Sequence, residues 1–429
     1  MMHIRYFISL VLLAWTFLTA PSAIAADLGD LGRLNGFTDA RYGTRLQSDP
    51  YQRQTALAET RLQLGLNRMG EATDLQIRAD FYYDNVVDQG RIDIEDGTGW
   101  IDLREANLLF SPHDLVDIKV GRQILTWGTG DLLFINDMFP KDWQSFFIGR
   151  DVEYLKAPSD AIMISLFPEP VNIDFVYIPK FDPDRYIRGE RVSYWNQDQS
   201  RIAGRDAIST PITPDHWFSD DEITVRLSKN IGGYETALYF YDGFWKSPAG
   251  SDPASGTAIF PRLSVYGASL RSNLGPGIAN VEAGYYDSRA DRSGDNQYLP
   301  NSEYRFLVGY EQEVVRNITL AGQYYLEALQ NYNAYLATAP ADTARDQYRH
   351  LVTMRLTWMM LNQNLTFSLF GYYSPSDEDV YIRPELKYKL TDDWQLSGGA
   401  NLFYGRNDHT FFGQFKYNSN LYAGVRYSF

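Results

Sequence analysis

The chain contains no cysteine, which removes disulfides and thiolate metal sites from consideration. Beyond residue 25, no apolar run reaches the roughly 18–20 residues that a helical membrane span needs. Histidine is scarce at five residues, and 39 Lys and Arg are outnumbered by 54 Asp and Glu. Nucleic acid is therefore an unsuitable partner, because phosphate contacts call for clustered Lys and Arg. A repeat of about 40–50 residues with a shared signature is missing too, and a β-propeller would need one.

What the sequence does contain is aromatic: 31 Tyr, 24 Phe and 9 Trp. Its one long apolar run, "YFISLVLLAWTFLTA", follows Arg5 and precedes "AIA" at 23–25. A short basic region, fifteen apolar residues and small residues at a cleavage spacing mark 1–25 as a cleaved signal peptide. The mature chain is then expected over 26–429, as a single domain outside the cytoplasm. Losing Arg5 takes the basic count from 39 to 38 against 54 acids, a net charge of −16.

Alternation decides the fold class. In "ALAETRLQLGLN", Ala58, Thr60, Leu62, Leu64 and Leu66 share one face, while Glu59, Arg61, Gln63 and Asn67 share the other. Successive strand side chains point to opposite faces, so this is a strand with one apolar and one polar side. "DLQIRADFYYD" repeats the pattern, and "DVYIRPELKYKL" sets Val380, Ile382, Leu386 and Tyr388 against Arg383, Glu385, Lys387 and Lys389. About eighteen such segments run from 33–43 to 418–429, among them 99–110, 114–126 and 170–178. Even-numbered segments are followed by tight connections such as "RMGEA", "PEP" and "NIGG". Odd-numbered ones lead into long connections such as 127–159, 179–220 and 244–261, the short "SPSDE" near 374–378 being the main departure. Tight turns alternating with long loops describe an up-and-down antiparallel transmembrane β-barrel, all-β, of 16–18 strands. In hydrocarbon every backbone N–H and C=O needs a partner, so a sheet can span only if it closes.

Aromatic residues near segment ends fit a bilayer interface: Trp100, Trp127, Trp217 and Trp245 by the outer ends, Trp358 and Trp394 by the inner ones. The last segment, "NLYAGVRYSF", alternates Leu421, Ala423, Val425, Tyr427 and Phe429 and stops on an aromatic residue. In this layout the chain resembles Gram-negative outer-membrane β-barrel proteins. The resemblance implies that Tyr427 and Phe429 form the signal read by the barrel-assembly machinery. It also implies outer-membrane lipid and lipopolysaccharide as surroundings, and a homotrimer as the assembly to test.

If the apolar faces meet lipid, the charged faces line the interior. The candidates are Glu59, Arg61, Arg78, Asp80, Asp117, Lys119, Arg226, Glu282, Arg305, Glu311, Glu327, Arg355, Arg383, Glu385, Lys387 and Lys389. A lining of both signs can hold a transverse field that filters solutes by charge. The plainer reading is that these charges pair across strands and stiffen the wall. A polar interior at this strand count implies a water-filled space.

Catalytic chemistry is weakly represented. Of the histidines only His350 lies near a strand, and no triad or dyad is recognisable around it. Acidic runs such as "FDPDRY" offer oxygen ligands but match no calcium-loop spacing, so neither a metal nor a cofactor is expected.

The most motif-like stretch is "GRQILTWGTGDLLFIND", Gly121 to Asp137. It lacks the Lys-Ser/Thr of a P-loop and leads into no helix-period segment, so it is not a phosphate cradle. Gly121, Arg122, Gln123, Trp127, Gly128, Asp131, Asp137 and Pro140 resemble a recurrent element of porin families that include alginate-export-like barrels. That resemblance implies a channel for a solute or polymer. Strict alternation points Gln123 to the lumen and Arg122 outward; a bulge at Gly121 would turn Arg122 inward as well, and both are expected among the pore-lining residues. The following segment, 127–159, is the third long loop, and its apolar residues Leu133, Phe134, Met138, Phe139, Trp143 and Phe146 are ill suited to water. Folded inward it would narrow the pore, with Asp131 and Asp137 at the constriction. The expectation is a channel for hydrophilic solutes. A non-channel barrel (structural, adhesive or a conduit sheath) competes with it, and an outer-membrane hydrolase is the third reading.

Overall fold

A computed structural model describes residues 26–429 apart from 88, 89 and 91. The expected signal peptide lies outside the described residues. Eighteen strands follow one another: β1 Arg33–Arg45, β2 Thr55–Met69, β3 Thr73–Asp84, β4 Ile101–His113, β5 Val116–Gln123, β6 Ser159–Leu166, β7 Asn172–Ile178, β8 Glu222–Ile231 and β9 Tyr234–Phe244. The second half comprises β10 Arg262–Leu274, β11 Gly277–Ser288, β12 Glu303–Val315, β13 Ile318–Leu329, β14 Tyr348–Met360, β15 Leu365–Ser374, β16 Asp379–Lys389, β17 Trp394–Gly405 and β18 Asn420–Ser428. Each pairs antiparallel with its neighbours in sequence, and β1 pairs with β18 from Phe37↔Ser428 to Arg45↔Asn420. The sheet is a closed eighteen-stranded barrel. Closure leaves no sheet edge, so every strand finds ladder partners on both sides.

Register separates the two faces along each strand. Leu108, Val120 and Ile162 are partners on β4, β5 and β6, and all three are exposed on the outward face. Asp117, Ser165 and Asp174 are partners on the inward face. An outward row of tyrosines, with Tyr42, Tyr83, Tyr266, Tyr304, Tyr373 and Tyr404 all exposed, rings the barrel toward the long-loop end. At the other end Trp394 packs on Tyr427 with centroids 4.8 Å apart, and Phe429 exchanges backbone hydrogen bonds with Gly36 at 2.9 Å. The final residue is thereby tied to the first strand.

Eight tight turns lie at one end and the long connections at the other. The sheet loses the chain earlier than alternation suggests on β5, which ends at Gln123 rather than near 126. From 124 onward the backbone turns into the barrel and no longer pairs with β4 or β6. Residues 124–158 therefore form the third long loop.

Candidate pore constriction and vestibule

The loop 124–158 runs around the inner wall. Leu125, Trp127 and Phe139 pack against Ala161, Val176 and Ile178. The chain then reaches β11, where the buried Glu282 carboxylate accepts hydrogen bonds from the backbone N–H groups of Thr129 and Gly130 (2.7 Å for the latter) and from Asn136 Nδ2 at 2.9 Å. Close approach depends on two glycines. Gly267 on β10 and Gly284 on β11 are register partners facing inward. A Cβ would stand 1.7 Å from Asn136 Oδ1 at Gly267 and 2.7 Å from Ile135 Cγ2 at Gly284. The dimple they leave admits Ile135 and Asn136 to the wall.

Next, Gln323 on β13 accepts from the Asp131 N–H at 2.7 Å and donates to its carbonyl at 2.8 Å, while Arg355 on β14 pairs with the Asp131 carboxylate at 2.5 Å. The Tyr286 and Tyr372 hydroxyls donate to the carbonyls of Ile135 (2.6 Å) and Leu132 (2.9 Å). A short helix, α1 Trp143–Ile148, follows because Asp142 caps it, accepting from Ser145 N–H and Oγ–H at 2.7 Å each. Its Phe146 and Phe147 pack on Tyr381 with centroids 5.7 and 5.5 Å away, and Phe147 lies 5.3 Å from Phe403. On the way back, Arg150 pairs with Glu59 (2.5 Å), Asp151 with Lys387 (2.9 Å) and Glu153 with Arg426 (3.1 Å). Tyr154 donates to Asp80 at 2.8 Å, and the Lys156 carbonyl accepts from Arg104 at 2.6 Å. One loop thus touches β6, β7, β10, β11, β13 to β18, β2 to β4 and, through Arg41 donating to the Gly149 carbonyl at 3.0 Å, β1.

The electrostatics follow from this docking. Burial alone would raise the Asp151 carboxyl, but Lys387, Arg426 and Arg41 outweigh it and hold it well below the usual carboxylate range. Asp131 goes the other way: burial, with help from Glu311, lifts it above that range against the pull of Arg355. The fourth long loop, 179–221, is anchored by Arg185, which donates both guanidinium nitrogens to Asp102 at 2.8 Å. In it Asp182 is pushed up to about 7 by burial and by Glu222 and Asp160, against Lys246.

Above the third loop opens a cavity of about 1050 Å³. Its floor is Phe134, Trp143 and Phe146 of that loop, and its walls include Trp195, Trp245, Tyr298 and Phe411. Arg305, Glu327 and Arg349 of the barrel wall also reach it.

No family model matches the chain, and no curated protein is similar to it in sequence. Solved structures are similar in three dimensions. OccAB1 of Acinetobacter baumannii has a TM-score of 0.52 at 10% identity, covering 95% of this chain and 99% of that one. OccD3 (OpdP) of Pseudomonas aeruginosa has a TM-score of 0.51 at 11% identity, covering 94% and 93%. The fold is that of outer-membrane porins and channels.

Within this frame the charges read from the sequence divide into two groups. Arg61, Asp80, Glu282 and Arg383 face inward but are buried beneath the loop, where they hold it. Arg78, Asp117, Lys119, Arg226, Glu311, Arg355, Glu385 and Lys387 face inward and stay at least partly accessible. Arg226 lies over the Trp127 ring at 5.2 Å and pairs with Asp174 at 2.7 Å.

Five residues sit otherwise than expected. Arg122 is on the outward face, since register runs through Gly121 without a bulge and pairs Arg122 with Ala106 and Asp160. Its guanidinium binds Asp160 (2.7 Å) and the carbonyls of Leu103 (2.6 Å) and Glu95 (2.7 Å), tying the second loop to the rim. Gln123 points inward but is sealed, donating to the Ala161 carbonyl at 3.0 Å. Asp137 is buried inside the loop against Lys141 (3.0 Å) and Thr126 Oγ (2.8 Å). Trp127 and Trp245 are interior rather than interfacial, because the chain turns inward once it leaves a strand: Trp127 packs on the inner wall, and Trp245 lies 5.8 Å from Tyr286. Trp100 is 62% exposed beside β4, and Trp358 is 44% exposed on the outward face of β14.

Sequence reasoning missed the neutral anchors Asn280, whose Nδ2 donates to the Thr129 carbonyl at 3.0 Å, Gln323, Tyr286 and Tyr372, and the Asp102–Arg185 clamp. The inward parity of the four neutral residues was readable from their strands, whereas Arg185 lies in a loop, where no parity exists.

Proposed function

We propose that the protein is an outer-membrane channel whose solutes pass through the barrel and are screened by the loop 124–158. The observation that carries this reading is that loop itself, laid along the inner wall of a closed barrel that is apolar outside and charged inside. The tight turns then face the periplasm and the long loops the exterior, so the aromatic cavity is the first chamber met from outside. The Gly121–Gly128 element supports a place beside alginate-export-like and related porin families. In this chain it forms the point where the loop leaves β5. A hydrolytic role is poorly supported: His350 lies on the outward face, its Nδ1 2.7 Å from the Tyr324 hydroxyl and away from the inner wall.

Detergent-purified, heat-modifiable protein in planar bilayers is expected to give discrete conductance steps. Folded barrels without steps would overturn the proposal and leave a non-channel barrel.

A further inference from the structure

The cavity above the third loop has a lining that selects by chemistry. Its charged side chains, Asp198 apart, are engaged. Lys141 pairs with Asp137 at 3.0 Å, Lys246 with Glu222 at 2.6 Å, Arg305 with Glu303 at 2.6 Å, and Arg349 with Asp377 at 2.6 Å and Glu327 at 3.4 Å. Asp184 accepts from Lys141 N–H (2.7 Å), Trp143 Nε1 (3.0 Å) and Ser247 Oγ (2.7 Å). Asp198 is exposed. At every charged group but Asp198, a charged solute would have to displace an existing partner to gain a counter-ion, which leaves another charge uncompensated.

The rest of the lining is aromatic plates interleaved with uncharged polar groups. Trp143, Trp195, Trp245, Tyr298 and Phe411 all keep some accessible surface, and Ser209, Thr210, Ser251, Thr257 and Gln297 lie among them. A hydrocarbon or bare aromatic solute would cover the rings but strip water from the hydroxyls and amides without replacing their hydrogen bonds. A sugar ring offers both halves at once: a C–H face to lie on an aromatic plate, and hydroxyls at its edge. At about 1050 Å³ the cavity exceeds one ring's needs and stands at the top of the roughly 300–1,000 Å³ range of small-molecule sites.

We propose that this vestibule is a binding site for short, uncharged oligosaccharides. The proposal rests on the channel reading only for its orientation toward the exterior. Isothermal titration of the full, detergent-solubilised protein with maltotriose, cellotriose and triacetylchitotriose tests it, with trigalacturonate and indole as comparison probes. At least one neutral trisaccharide is expected to bind in the millimolar range or tighter. Trp245→Ala, and separately the exposed Tyr298→Ala, should weaken it about tenfold each, the scale of a lost aromatic contact. Heat-modifiability certifies that each variant is folded. Tighter binding of trigalacturonate, binding of indole alone, or no binding by any of the three neutral sugars would each overturn the proposal. Bilayer conductance is measured in parallel. Sugar binding without conductance sustains the site and defeats the channel, whereas conductance without sugar binding does the reverse.

Discussion

Gly121 has φ +112°, and a Cβ there would stand 2.3 Å from the Ala106 carbonyl oxygen on β4. No L side chain sits comfortably at that backbone angle, and here the ladder partner blocks the space as well. Gly121→Ala is expected to destabilise the β4–β5 pairing by about 1–3 kcal/mol, read as a lower urea midpoint and a smaller heat-modifiable fraction. An unchanged midpoint would mean that β5 can untwist at no cost. Asp182 is governed by charge instead of space. Its carboxyl is raised to about 7 in the docked loop, against about 3.9 when free. The folded form therefore disfavours ionisation, and docking weakens as pH rises from about 4 to 7, then levels off. Asp182→Asn removes this slope and should strengthen docking most at pH 8, by up to about 4 kcal/mol for a shift of roughly three units. Hydrogen exchange across 179–221, corrected for intrinsic rates, measures it. Equal pH slopes in both proteins would refute the assignment.

At the scale of elements, the third loop is held by hydrogen bonds and by shape, and the two can be removed separately. Glu282→Ala deletes an acceptor serving Thr129, Gly130 and Asn136, where each charge-assisted bond contributes about 1.5–3 kcal/mol. Gly284→Leu leaves that acceptor in place and fills the dimple beneath Ile135. Both should release the segment from the β10–β11 wall and raise single-channel conductance. If neither does, the segment does not narrow the pore. The barrel strands were legible because lipid on one side and water on the other force a period of two that needs no knowledge of tertiary contacts. The loop's inward course was legible too, since Phe134, Trp143 and Phe146 gain little in water. Its docking points were not, because Gly267, Gly284, Gln323 and Tyr372 meet it from more than 130 positions away in the chain. Parity also fails where a chain leaves the sheet. Trp127 and Trp245 stand near strand ends, as interfacial residues do, yet both turn inward.

For the molecule as a whole, the abundant interior charge is mostly cancelled pair by pair, so ion selectivity should follow the pairs that water can reach and not the total. Asp131 and Arg355 form such a pair, 2.5 Å apart with side chains 34% and 31% exposed, linking the loop to β14. Arg355→Ala leaves an unmatched carboxylate and should move the reversal potential toward cations. Asp131→Ala leaves an unmatched guanidinium and should move it toward anions. The first shift carries a pH signature. Burial and Glu311 already hold the Asp131 carboxyl above its ordinary value, and Arg355 is the group that opposes them. Without Arg355 the carboxyl rises further, so the cation preference should be full at pH 8 and fade in mild acid, above the ordinary carboxylate range. The anion preference of Asp131→Ala has no such dependence, because the pair then holds no carboxyl group. Zero-current potentials across a potassium chloride gradient at pH 8 and pH 5 separate the two. Shifts of the same sign, or none, would place this pair outside the conducting path and return the narrowing to another part of the loop.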